Sequence, residues 1–175
     1  MPSAPPSHQI DEGIIGALHS RIVLRTTLLN QRRGDMERDL EDLIERTRNT
    51  AHKLFSGPVP VEVPYRLWKS FDADLAKELS LFITGNIYSR EVLPLPERQM
   101  IAVAALAALQ KTDELKVHLH GALNVGVPAR RLAEIAFQIG IYAGFPAVNA
   151  SLAALKEVLI SRGEWPIPEE TSSKT

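Results

Sequence analysis

The 175-residue chain has no cysteine. That single absence removes disulfide staples, thiolate metal sites, CxxC redox chemistry and a cysteine nucleophile together. Charge of one sign is missing too. With 20 Lys and Arg against 21 Asp and Glu the net charge is −1, so there is no global field to draw in nucleic acid or an anionic membrane. No apolar run approaches the roughly 20 residues of a membrane span. The opening stretch MPSAPPSHQIDEG lacks the basic-then-apolar pattern of a secretory leader. A soluble, cytoplasmic protein is the expectation. Sustained period-two alternation of β-branched residues is also absent, which argues against sheet.

Helical periodicity fills the chain instead. Met1 to Gln9, with three prolines, reads as a disordered lead. From Ile10 the residues Ile14, Ile15, Leu18, Ile22, Leu24, Leu28 and Leu29 recur at near-helical spacing, with Gly34 as a C-terminal stop. Asp35 is then positioned to N-cap a charged second helix, whose narrow stripe (Leu40, Leu43, Ile44, Thr47, Ala51, Leu54, Phe55) suits one partner helix. After a proline-rich connection at 56–64, a helix is expected from Pro64 to Phe82 with Phe71, Leu75, Leu79 and Phe82 inward. Residues 85–96 form an irregular loop, and Pro96 opens an Ala-rich helix to Leu109, apolar nearly all round and therefore central. Thr112 is the expected N-cap of the next helix. Pro128 and Pro146 open the last two, and Gly126, Gly144 and Gly163 close the final three.

The expected fold is an all-α bundle of about seven helices. The expected organisation is an N-terminal extension at 1–45, a helical domain at 46–163 and a frayed tail at 164–175.

Chemistry concentrates on the helix after Thr112. Glu114 and His118 lie four apart, so a carboxylate and an imidazole share one face. Each alone has an ordinary reading: Glu114 as a helix N-terminal carboxylate favoured by the macrodipole, His118 as a satisfied, partly buried imidazole. Together, beside Gly121, they suit one small site. His120 points away from His118 and reads as a solvated or interface residue, so the two histidines do not chelate one metal. Arg98 and Arg90 are the nearest cations in sequence and suit a carboxylate, with surface ion pairing to Glu91 or Glu97 as the alternative. Tyr88 and Tyr142 are candidates for substrate contact, with core packing as the alternative.

The run from Gly85 to Asn149 resembles the carboxymuconolactone decarboxylase family and its alkyl hydroperoxidase D-like fold. It holds GNIYSR, Arg98, the Ala-rich helix, DELKVHLHGALNVGV and IYAGFPAVNAS, and a looser likeness reaches back to Arg46. The peroxidase branch carries CxxC where this chain has Lys111 and Glu114, so the resemblance implies the decarboxylase branch, without cofactor or metal. It matches Glu114 and His118 to the family's E-L-x-x-H, Arg98 to its arginine at the start of the buried helix, and Arg90 to its arginine after the aromatic loop. Trimers or hexamers are implied as well. Thr84 and Tyr88 stand where the family tends to have tryptophans, and Leu95, Pro96 and Glu97 replace basic residues, which alters pocket walls and positive charge.

The implied reaction is decarboxylation of a carboxylated lactone such as 4-carboxymuconolactone, in a β-ketoadipate type of aromatic-acid degradation. Arg98 and Arg90 would hold carboxylate or enolate oxygens, and His118, oriented by Glu114, would deliver a proton. The exchanged roles, with Glu114 as the acid, stay open. Two other readings stand beside it: a same-fold enzyme acting on another cyclic acid by proton transfer, and a non-catalytic oligomeric binding protein.

Overall fold

Most helix boundaries follow the chain's prolines and glycines. The computed structural model describes residues 12–168, so the lead at Met1 to Gln9 and the tail beyond residue 168 lie outside the described residues. Within them are seven α-helices, a π-helical segment and no strand. These are α1 (Glu12–Phe55), α2 (Pro64–Phe71), α3 (Ala73–Ser80), the π-helical Leu81–Tyr88, α4 (Leu95–Ala108), α5 (Thr112–Asn124), α6 (Ala129–Ala143) and α7 (Phe145–Arg162). The all-α architecture expected from periodicity is the one observed. No helix is long and apolar enough to cross a membrane among the described residues.

Two compact units divide the chain, the first ending at Asp42 and the second beginning at Leu43. α1 contributes to both. In the first unit Gly34 does not stop the helix and Asp35 does not cap a new one. A helix-interior glycine costs only about 1 kcal/mol relative to alanine, and the flanking residues bridge it: Arg33 pairs with Glu37 at 2.9 Å, and Arg38 pairs with Asp35. Asp35 is therefore spent on a side chain rather than on orphan amides.

The second unit is built on α4 to α7, which pack on one another. Val103, Leu115, Leu119, Leu132, Leu155 and Leu159 form the centre of its core. α4 is less enclosed than its apolar sequence suggested. Gln99, Val103 and Ala107 are buried, whereas Ile101 is 57% exposed. From α1, Thr47, Thr50 and Leu54 are buried. Thr47 and Leu43 lie so close to Gly85 that any Cβ there would overlap them.

The helix expected from Pro64 to Phe82 is divided. Asp72 leaves helical geometry, and its carboxylate accepts from the Leu75 amide at 2.9 Å, capping α3. Nine residues after Asp72 the backbone loosens into π-helix, with the Ser89 amide bonded to the Thr84 carbonyl at 3.1 Å. The apolar face is not inward as helical spacing implied: Phe71 is 86% exposed and Phe82 57%, while Leu79 is half-buried. The irregular loop expected from Gly85 is thus helical as far as Tyr88.

Pro96 and Pro146 occupy the first turns of α4 and α7 as expected. Thr112 is the first residue of α5 and makes no cap; Lys111 holds the cap position. The tail is not wholly frayed, because Ile167 packs on the core and the Lys156 ammonium lies 5.2 Å from the Trp165 ring centroid.

Three helices end in one device. At Gly126 and Gly163 a left-handed residue lets the next amide reach back to a carbonyl five positions earlier, the Schellman arrangement. At the end of α4 the same bond, Lys111 to Leu106 at 3.0 Å, is made over Gln110 at φ 55°. A side chain is disfavoured there because its Cβ crowds the following carbonyl. Gln110→Gly is expected to stabilise the protein by roughly 0.5–1 kcal/mol and to raise Tm by about 1–4 °C in thermal unfolding; an unchanged or lower Tm would refute this account of the turn.

Candidate active site

α5 presents its polar residues to two different surroundings. On one side His118 is partly buried, and its Nδ1 lies 3.0 Å from the Gln99 side-chain oxygen on α4. A carbonyl oxygen only accepts. Nδ1 therefore carries the proton, and Nε2 presents a lone pair. Gln99 is fully buried, and its amide nitrogen has no hydrogen-bond partner. Gly121 admits this side chain, since a Cβ there would lie 3.1 Å from the Gln99 oxygen and 3.4 Å from the Leu54 carbonyl. The close approach expected of Gly121 is thus made by α4 and by the end of α1.

Tyr88, at the end of the π-helical segment, stacks on His118 with ring centroids 6.2 Å apart and planes inclined by 27°. Burial pushes its phenol above the ordinary value, and the Arg98 guanidinium draws it back in part. Burial drives His118 the other way, to about 4, with the Glu114 carboxylate opposing the shift by charge. The imidazole is consequently neutral at pH 7. Glu114 is exposed and acts on the ring through its charge. Gln99, rather than Glu114, is the side chain bonded to the ring.

Arg98 and Arg90 divide their roles. The Nε of Arg98 donates to the Leu93 carbonyl at 2.9 Å, and one Nη2 hydrogen donates to the Arg90 carbonyl at 3.0 Å. Two of the guanidinium's five N–H donors are thereby used to hold the 89–94 connection, leaving Nη1 and one Nη2 hydrogen. The Arg90 side chain is exposed and takes part in no ion pair with Glu91 or Glu97 among the described residues. Tyr142 stands outside this cluster, 78% exposed on the last turn of α6. A cavity of about 670 Å³ between the start of α6 and the 163–168 segment contains none of these candidates.

His120, expected as a solvated or interface residue, is fully buried within the chain. Its Nε2 donates to the Ser56 carbonyl at 2.7 Å, and its Nδ1 accepts from the Arg162 Nη1 at 3.2 Å. Asn124, one turn on, donates to the Leu54 and Ser56 carbonyls at 2.9 Å and accepts from Arg162 at 2.8 Å. This network ties the end of α1 and the end of α7 to α5. Burial lowers the His120 pKa, the Ser56 bond opposes the shift, and the Arg162 charge reinforces it. The sequence signal for it was slight: His120 and Asn124 share one face, but the groups that cover them are dozens of residues away.

Gln99 is the site residue that sequence reasoning missed. It sits one residue after Arg98 inside an otherwise apolar helix, and a lone amide at a position that helical spacing buries was the available sign.

Residues 73–157 match the carboxymuconolactone decarboxylase family. The chain is 36% identical over 96 residues to the 4-carboxymuconolactone decarboxylase of Acinetobacter baylyi, covering 55% of this chain and 72% of that protein. It is 25% identical over 88 residues to the nitrosuccinic acid decarboxylase of Metarhizium robertsii, covering 49% of this chain and 62% of that protein. The chain belongs to the carboxymuconolactone decarboxylase family.

The unfolded chain protonates a histidine near 6.5, whereas His118 in the folded site does so only near 4. Unfolding takes up a proton between these values, so stability is expected to fall as pH falls from 6.5 towards 4. Imidazole NMR titration should find His118 in that low range. Gln99→Glu, by placing an anion on Nδ1, should raise it by at least about one unit. An unmoved titration would show that Gln99 does not hold the ring.

Proposed function

We propose that the protein is a decarboxylase whose substrate is a carboxylate attached beside its own electron sink, as in a carboxylated unsaturated lactone. The observation that supports this most is the His118 ring itself, held at Nδ1 by Gln99 and stacked on Tyr88, whose phenol feels the Arg98 charge. The two relatives' names share this chemistry. In one an unsaturated lactone, in the other a nitro group, can accept the electron pair left when carbon dioxide departs. On this reading 4-carboxymuconolactone is the first substrate to try, and no cofactor takes part.

The C–C bond to the carboxylate breaks, carbon dioxide leaves, and the electron pair moves into the lactone carbonyl. The enolate oxygen so formed accepts from donors nearby, for which the protonated Tyr88 phenol and the remaining Arg98 N–H groups are the candidates. Arg90 is the candidate to hold a substrate carboxylate at the rim. A proton must then reach carbon, and neutral His118 has none to give from Nε2.

Substrate charge can supply it. A carboxylate about 4 Å from the ring, at an effective dielectric of about 20, favours the imidazolium by about 4 kcal/mol, equivalent to about 3 pKa units. That carries a group from about 4 to near neutrality. His118 thus takes its proton as the substrate binds and returns it to carbon, with Glu114 adding to the attraction.

Purified protein incubated with 4-carboxymuconolactone is expected to consume it with release of carbon dioxide, and His118→Ala should lower kcat by about 10²–10⁴-fold. Full turnover by a folded His118→Ala protein would end the role given to His118. Binding of a saturated carboxylated lactone, which lacks the electron sink, should take up about half a proton per site at pH 7, and more at lower pH, in calorimetry with buffers of different ionisation enthalpy. The uptake should vanish in His118→Ala. Binding without uptake in the unaltered protein would refute proton loading by the substrate.

A further inference from the structure

The part of α1 in the first unit leaves its apolar side chains uncovered. Leu29 is 57% exposed, Met36 67% and Leu40 49%. Their spacing of seven and four residues is that of a coiled-coil seam, with Leu29 and Met36 at d positions and Arg33 and Leu40 at a positions. Charge along the same stretch is separated. From Arg21 to Arg33 the ionisable residues are Arg21, Arg25, Arg32 and Arg33, with no carboxylate; from Asp35 to Asp42 there are five carboxylates against Arg38 alone.

We infer that α1 pairs with the α1 of a second copy, antiparallel, about a two-fold axis between Gly34 and Asp35. Polarity decides the direction. A parallel pair sets four arginines beside four arginines and carboxylates beside carboxylates, whereas the antiparallel pair sets each basic half on an acidic one. Residue n then faces residue 69 − n of the second copy. Leu29 meets the second copy's Leu40, and Met36 meets the aliphatic stem of the second copy's Arg33. Arg32, at a g position, lies beside the second copy's Asp39, also at g, and the same contact is made twice across the axis. Within the first unit, residues 27–42 of one copy face 42–27 of the other, and at about 1.5 Å rise per residue the contact is about 24 Å long, or just over two heptads. A nucleic acid or an anionic membrane fits this helix poorly, because the acidic half repels what the basic half attracts.

The absence of cysteine makes the arrangement directly readable. The full chain carrying Leu29→Cys together with Leu40→Cys is expected to form a covalent dimer on mild oxidation. The two positions are eleven residues apart on one rigid helix, too far to bridge within a chain. Leu29→Cys alone and Leu40→Cys alone should stay largely uncrosslinked. Ready crosslinking of Leu29→Cys alone would establish a parallel pair and overturn the inference, as would the failure of all three proteins to crosslink. Asp39→Lys added to the double variant should lower the crosslinked fraction several-fold, and Arg32→Glu added in turn should restore it.

Discussion

Two imidazoles two residues apart on α5 are each bonded to a different element, and the helix has one position in which both bonds close. His118 requires the Gln99 oxygen on α4. His120 requires the Ser56 carbonyl beyond α1 and the Arg162 guanidinium on α7. Burying any one of these groups without its partner costs about 1–3 kcal/mol, and more for a charged group. Apolar packing of Leu115 and Leu119 would tolerate small slides of the helix; the polar bonds on either side of it do not. Gly121, next to His120, faces both the Gln99 oxygen and the Leu54 carbonyl and allows the surrounding elements close enough to make these bonds.

The same constraint sets the electrostatics of the candidate site. His118 is neutral because burial outweighs the charge of an exposed Glu114. Fixing its Nδ1 hydrogen on Gln99 determines which nitrogen is left for chemistry. The two arginines contribute unequally for a comparable reason. Arg98 commits two of its five donors to the backbone of the connection that follows Tyr88, so it shapes that wall and adds a charge, while Arg90 is exposed. An isolated reading of either residue type would have assigned both to a ligand.

What was legible in the sequence was whatever depends on neighbours along the chain. The all-α class, the helices opened by Pro96 and Pro146, the ends at Gly126 and Gly163, and the proximity of Glu114 and His118 all follow from spacing and local backbone chemistry. Contacts between distant segments were hidden. His120 looks solvent-facing on a helical wheel because the wheel does not contain Ser56 or Arg162. Gln99 looks like a stray amide because its partner is on the next helix. Gly34 and Asp35 have the composition of a boundary, yet paired side chains on either side carry the helix through. The π-helical turn at Leu81–Tyr88 has no composition of its own; Gly85, pressed on Leu43 and Thr47, is its one local mark.

That turn gives the site an unusual relation to chain length. A π-helical segment accommodates extra residues in a helix without lengthening it by full turns, so its register is carried by residue count rather than by composition. Removing one residue between Leu81 and Tyr88 would change the register of the helical residues that follow it, as far as Tyr88, by about 100° per residue, taking the Tyr88 ring off the His118 face. Substitutions in this stretch alter a wall. Insertions and deletions alter an angle, and in this short segment a change in length would redirect the site while leaving the core of α4 to α7 as it is.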